Sequence, residues 1–533
     1  MDVFQRAKMR LKREGNLLRN RQRVRALTSE IEKSAASAER PVIFFNASTR
    51  LSGLSQNAGF SLVSSLALRR AGRPIIHFVC RQGLSHCVLG TDKLHPQTPP
   101  PCAECMRTSR RIFDGAQVQP FTLQRDQALE NAMAALSLEK LLAFEWQEVP
   151  LGKLVLPSLR WILRIHHLQD DEATRYLARE YMLSALNVVR QFGGLIERAN
   201  PLSVVVFNGM FYPEAAARWI AQRKGLPVYS HEVGMLPLSA FFTPEEATAY
   251  PVRVDEFFRL SEEQDRRLDE YLAQRTQGKF VTAGVKFWPE MHNLDDAFWQ
   301  RASQFKSLVP VFTNVVFDTS QGHANLLFEH MFAWLDLVLE QIKAHPEIFF
   351  VLRAHPDETR PGKESRETVM DWVRENKVEQ LANVLFISPD QYISSYDLIA
   401  HAKFVMVYNS TVGLEASVLD KPVLCAGKAR YTQIPTVFFP QTIAEYRRKL
   451  DEFLSAGEVA HPGEFRMNAR RVLYSQLFRA SLPFGDFLEE DGVWRGYVRL
   501  KDFGADELLP EKSDTLRVIL DGVLKGKPFI LDL

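Results

Sequence analysis

No run of eighteen apolar residues occurs anywhere in the 533-residue sequence, so no segment reads as a membrane-spanning helix. No signal peptide is evident either, because the N-terminal run lacks an apolar core. Net charge is only +2, which removes the global argument for nucleic acid. Cysteine is scarce, five in all, and that points to a reducing compartment rather than a disulfide framework. Low-complexity stretches and short internal repeats are missing. So are Asp-x-Asp metal motifs. These absences leave a cytoplasmic globular protein, too long for one core and expected to hold two or three domains.

The charge is unevenly placed. Residues 1–25 carry nine Lys or Arg against Asp2 and Glu14. With Val3, Phe4, Met9, Leu11, Leu17 and Leu18 as apolar anchors, this run suits an anionic membrane surface. As a solvated basic helix it needs no such partner. Four of the cysteines cluster as Cys80, Cys87, Cys102 and Cys105, with a C-x6-C-x14-C-x2-C spacing able to close a tetrahedral structural zinc site. His86 and His95 are possible substitutes, and four free thiols are the plain alternative.

Apolar strands alternate with helical patterns along most of the chain. In the first half the strands are expected at 41–48, 73–80, 116–123, 202–209 and 226–234, with mostly helix over 125–200. In the second half they are expected at 309–318, 347–356, 383–388, 404–409, 421–427 and 435–439. Such alternation predicts an α/β chain with two Rossmann-like domains, parallel sheets facing a cleft. The expected division is a basic helical extension over 1–40, a first domain over 41–300, a second over 301–460, and a closing helix with a tail over 461–533.

Ligands of open α/β sheets sit at the carboxyl ends of strands. Asn409, Ser410 and Thr411 occupy such an end, directly ahead of a helix whose N-terminus favours an anion. Ser410 as a simple N-cap is the plainer reading. Glu415 lies too far on to be a capping-box glutamate, whose position is taken by Gly413. A carboxylate there can accept ribose hydroxyls. Arg353 and His355 end another strand as donors, and Thr313 with Asn314 ends a third. Near the N-terminus, the Gly/Ser/Asn loop 46–59 lacks G-x-G-x-x-G, so it suggests sugar hydroxyls, through Asn46 and Ser48, rather than a dinucleotide. Asn208 offers a polar contact. His231 or Glu232 could serve as general base, and the alternative for Glu232 is a carboxylate that binds its own loop backbone.

"RAHP" followed by "NSTVGLEASVLDKPVL" resembles the nucleotide-sugar domain of GT-B glycosyltransferases, most closely the bacterial capsule polysaccharide group that includes Kdo transferases. "VVVFNGMFYPEAAARWIAQRKGLPVYSHEVG" and "MNARRVLYSQLFRASLPF" are similar to further segments of that group. The resemblance implies a GT-B-like fold and a glycosyltransferase acting on a nucleotide-sugar donor and a glycan or lipid-linked acceptor, without an obligatory catalytic metal. It assigns the donor to Arg353, His355, Asn409, Ser410, Thr411 and Glu415, with Thr313 and Asn314 nearby, and lets His355 offset charge on the leaving phosphate. Sugar-nucleotide epimerases and polyol-phosphate polymerases share the motif pair in altered form. A non-catalytic scaffold on the same fold is a third reading. Sugar, base and oligomeric state are not readable from the motifs.

Overall fold

Strongly apolar strands that cannot face water on either side must be covered by helices on both faces. The computed structural model describes residues 3–32, 39–47, 53–276 and 292–532. Its first sheet runs, edge to edge, through Leu482–Pro483, Ser239–Thr243, Val228–Val233, Ser203–Phe207, Val42–Asn46, Ile75–Cys80 and Val118–Phe121. The last five of these strands are mutually parallel, and the first two are antiparallel additions. The second sheet, Val384–Ile387, Ile348–Arg353, Ser307–Phe312, Val405–Val407 and Val423–Cys425, is parallel throughout.

Register decides where the site lies. Phe312 pairs with Arg353 and Val407 pairs with Phe312. Three strands therefore end level, and residues 313–314, 354–355 and 408–411 emerge on one rim. The expected strand at 435–439 reduces to a single bridge, Leu424 to Phe438, because the segment is too short to extend the ladder.

The chain crosses between domains twice, and both crossings move the expected boundaries. Leu268, Leu272 and Phe298 pack with Leu308, Phe349 and Leu414 in the second core, so the stretch after about 260 belongs there rather than to the first domain. Residues 482–531 are not a tail. Leu482, Phe484, Leu516, Ile519 and Leu531 return to the first core, beside Val42, Phe60 and Leu66. The sequence pattern missed this because two-residue and three-residue strands carry no periodicity.

The N-terminal helix Val3–Ile31 is likewise half committed. Val24, Leu27 and Ile31 join the first core, Leu17 is buried, and Asn16 and Asn20 bond Asp491 O and Leu500 N. Among the described residues no helix is long and apolar enough to cross a membrane.

The domains meet beside the cleft. Glu367 Oε2 accepts the N–H groups of His166 (2.7 Å) and His167 (3.0 Å), and Arg366 N donates to Arg164 O at 2.9 Å. The Arg164 guanidinium lies between the rings of Trp161 (4.1 Å) and Phe317 (4.7 Å).

Candidate functional site

A cleft of about 820 Å³ opens on the rim where the second sheet's strands end, and Val233, Gly234, Met235 and Tyr250 face it from the other side. Thr313, Asn314, Arg353, His355, Asn409, Ser410, Thr411 and Glu415 all line it. Eight residues spread over a hundred positions are thus brought to one surface by strand register.

The helix Thr411–Val418 begins at Ser410, whose backbone is extended, yet the Ser410 side chain makes no capping hydrogen bond. The capping role was one reading of this residue. The structure leaves the hydroxyl toward the cleft instead. Tyr431 Oη holds the loop by donating to Ser410 O at 2.6 Å. Gly413 is required by that contact, since a Cβ there would collide with the Tyr431 hydroxyl and approach Val407 Cγ2 at 3.0 Å. Asn314 Oδ1 accepts Asn409 N at 3.3 Å, and Asn409 Oδ1 accepts Gln321 Nε2 at 3.3 Å, so adjacent strand ends brace each other. Thr313 Oγ1 donates to Arg353 O at 3.2 Å, which makes it a strand-end tie as well as part of the cleft wall.

His355 Nδ1 accepts the Asp357 N–H at 3.1 Å. That fixes the tautomer and leaves Nε2 as the N–H donor. Burial lowers its pKa, with Asp357 opposing, so the ring is neutral at pH 7 until an anion arrives. Arg353 is buried too, and burial brings its pKa down to about 10. Its Nη1 donates to Ser395 Oγ at 2.8 Å.

Glu415 is only 3% exposed and already engaged. Arg275 Nε and Nη2 reach its Oε1 at 2.8 and 2.6 Å, and Tyr396 Oη donates to Oε2 at 2.7 Å. Burial works against the Arg275 charge, but Glu415 outweighs it and the pKa rises. A carboxylate offers about four acceptor positions, so a ribose hydroxyl can still be received on Oε2. Sequence reasoning missed Arg275 and Tyr396, along with Lys428 and Arg430, which also line the cleft. Lys428 and Arg430 follow a strand's carboxyl end, and the rule that found Ser410 could have found them. Arg275 comes from a linker helix and carries no local signal.

The first-domain candidates fare differently. Glu232 accepts Asn57 Nδ2 (2.7 Å), Asn208 Nδ2 (3.1 Å) and its neighbour's N–H from Val233 (2.9 Å). This is the loop-binding carboxylate of the second reading, although Val233 and Gly234 beside it do face the cleft. Asn208 sits at φ 61° and spends Oδ1 on the N–H groups of Met210 and Phe211, so it shapes the turn. His231 is in the core, its ring 5.2 Å from Phe242 and 6.0 Å from Phe207, and burial pushes its pKa down to about 3. Adjacent strand residues point to opposite faces, which is why His231 and Glu232 part company. A base role for His231 is not supported by this position. Asn46 Nδ2 bonds Phe44 O and His77 Nδ1, both at 3.1 Å, away from the cleft. Ser48 lies outside the described residues.

Cys80, Cys87, Cys102 and Cys105 do gather round one small cavity, and none is in a disulfide. The Gly83 and Gly90 N–H groups donate to Cys80 Sγ and Cys87 Sγ, both at 3.2 Å. Burial pushes both thiols up to about 12, so they stay protonated at neutral pH. Among the described residues no three His, Cys, Asp or Glu side chains converge to hold a metal ion.

Two parallel α/β sheets with strand ends meeting across a cleft define the GT-B-like class. Residues 300–449 match the model of a family described as capsule polysaccharide biosynthesis protein, and that span contains all eight donor-site candidates. The motifs at 353–356 and 409–424 lie inside the matched span, and the two other similar segments lie outside it. No curated protein matches the chain. Among solved structures it is similar to the KpsC beta Kdo 2,4 transferase of Thermosulfurimonas dismutans, at 14% identity and a TM-score of 0.34, over 51% of this chain and 79% of that one. The same organism's KpsC beta Kdo 2,7 transferase is 15% identical with a TM-score of 0.32, over 60% and 86%. The UDP-GlcNAc 2-epimerase of Neisseria meningitidis, bound to UDP-GlcNAc, is 12% identical with a TM-score of 0.22, over 81% and 97%. Likenesses this distant carry no argument about chemistry, which rests on the residues in the cleft.

Proposed function

We propose that the protein is a GT-B glycosyltransferase that takes a nucleotide-sugar donor in the cleft and passes the sugar to a surface-glycan acceptor. The observation carrying this reading is the convergence of an anion-favouring helix start, a buried arginine, a half-buried histidine donor and a buried carboxylate on one rim. The donor's phosphates would lie at Ser410 and Thr411, against the positive end of the helix. His355 Nε2–H and Arg353 would meet the charge that grows on the leaving phosphate as the glycosidic bond breaks. Such donors act most strongly where water is excluded; Arg353 is buried and His355 half-buried. Ribose hydroxyls would donate to Glu415, held in place by Arg275 and Tyr396. The acceptor would approach from the first-domain wall at 233–235, with Glu232 ordering that wall through Asn57 and Asn208.

Equilibrium binding of UDP-, GDP-, CMP-, CDP- and TDP-linked sugars to the full chain tests the donor site. One nucleotide class should raise stability, by about 2.7 kcal/mol at a hundredfold excess over Kd. His355→Ala should weaken that class at least about tenfold, in keeping with a loss of about 1.4 kcal/mol or more from a charge-assisted bond, while the free protein loses only the capping bond to Asp357 N, about 0.5–2 kcal/mol. No shift with any donor in the panel would sink the proposal. Product analysis then separates transfer from epimerisation, since an epimerase would change the sugar with no acceptor present.

A further inference from the structure

The N-terminal helix presents two opposite faces, and only one is used by the fold. Leu17, Asn20, Val24, Leu27 and Ile31, at alternating spacings of three and four, turn inward and are buried. Phe4, Leu11 and Leu18 are seven residues apart, so they form one stripe that drifts only about 20° per step. They are 89%, 76% and 55% exposed, with exposed Ala7 and Gly15 between them. The helix thus spends three large apolar side chains on a face the protein body does not cover.

The charges beside that stripe divide the same way. Arg13, Arg19, Arg21 and Arg23 pair with Glu104, Glu489, Asp114 and Asp502 of the body. Lys12 Nζ donates to Gly492 O at 3.0 Å. Lys8, beside the stripe, and Arg25, the next residue along it after Leu18, are exposed and make no ion pair among the described residues, whereas Arg6 and Arg10 continue the inward register of Leu17 and Asn20. Lys12 also joins the helix to the turn of the hairpin Leu488–Glu490 and Tyr497–Leu500. Trp494 in that turn is 45% exposed.

We infer that this outer face is a docking surface for an anionic phospholipid bilayer, with Phe4, Leu11 and Leu18 entering the headgroup boundary and Lys8 and Arg25 meeting lipid phosphates. The occupant is chosen by charge. Apolar side chains on one exposed helix face, beside the cations Lys8 and Arg25 that make no ion pair among the described residues, match a surface that is apolar beneath and negative above. The cleft reading is not needed for this inference. Met9 and Leu17, counted from the sequence among the anchors, are not on the stripe: Met9 is half-buried and Leu17 is buried in the body.

Cosedimentation of the full chain with phosphatidylcholine vesicles, with and without phosphatidylglycerol, tests it. The protein should pellet with the anionic vesicles and be released as salt rises. The triple variant Phe4→Ser/Leu11→Ser/Leu18→Ser should bind at least about tenfold less while unfolding at the same temperature, because the three side chains are exposed. Equal pelleting with neutral vesicles, no pelleting with anionic ones, or unchanged pelleting of the variant would each overturn the inference. A variant that alters sedimentation velocity but not vesicle binding would give the face to a second copy of the chain instead.

Discussion

Glu415 carries a structural load as well as a candidate ligand role, and the two must be separated experimentally. Removing one member of a buried ion pair leaves the other charged and uncompensated. Glu415→Ala should therefore cost about 3–5 kcal/mol of stability, read as a fall in midpoint on thermal or urea denaturation. Adding Arg275→Met should recover much of the loss. If the single variant unfolds like the parent, the pair with Arg275 is not formed in solution. Ser410→Ala is the cleaner probe of the same loop. Side-chain N-caps are worth about 0.5–2 kcal/mol, but this hydroxyl does not cap, so stability should change by less than about 0.5 kcal/mol while nucleotide binding weakens. A stability loss of a full N-cap would show that the serine closes the helix after all.

One helix organises the cleft at the scale of elements. Thr411–Val418 is short, and its start is set by tertiary contacts rather than by its own caps: Tyr431 Oη on Ser410 O, and Asn314 Oδ1 on Asn409 N. Gly413→Ala should push Tyr431 away and cost about 1–3 kcal/mol, the range for overpacking a filled site. Binding of the nucleotide should fall further than stability alone explains, because the displaced tyrosine frees the loop. Calorimetric affinity beside unfolding midpoints distinguishes the two. Equal affinity in the variant would mean that the Tyr431 contact does not position the site.

The whole molecule is defined by its two crossings and by its buried ionisable groups. Truncation after Ser481 would strip Leu482, Phe484, Leu516, Ile519 and Leu531 from the first core and should leave that domain unable to fold. A truncated chain with an unchanged unfolding transition would contradict the assignment. Stability should also peak at mildly acidic pH. Burial pushes His77, His166 and His231 down to about 3, and lowers His86, His323, His330 and His355. Below about pH 6.5 the unfolded chain takes up protons that these folded histidines refuse, so stability falls as pH drops, by about 1.4 kcal/mol per unit toward pH 3 for each of His77, His166 and His231. Burial pushes Glu214 and Glu358 the other way, up to about 8. They hold protons that the unfolded chain has already released above about pH 4.3, so stability also declines as pH rises toward 8. Unfolding midpoints across pH 5–8.5 should pass through a maximum near about 6.5. Glu358→Gln should flatten the alkaline limb, and a monotonic profile would refute the balance.

The strands, the parallel class and the donor rim were legible because each rests on local pattern. Continuous apolar runs mark buried strands, and polar residues at strand ends ahead of helices mark the rim, as at Ser410 and His355. Lys428 and Arg430 were within reach of the same rule. What stayed hidden depends on contacts between distant residues. Arg275 meets Glu415 across 140 positions, and nothing near Arg275 announces it. The two faces of residues 3–31 differ because the helix Cys102–Ile112 and the hairpin at 488–500 cover one of them. The side-chain period of a strand put His231 and Glu232 on opposite faces, but which face was the cleft depended on what packed there. The sequence by itself determined the elements and the chemistry available at their ends, through periodicity and capping, which are short-range. Only the tertiary structure decided which of those groups face the cleft and which are spent on one another, because burial and pairing are settled by neighbours far along the chain.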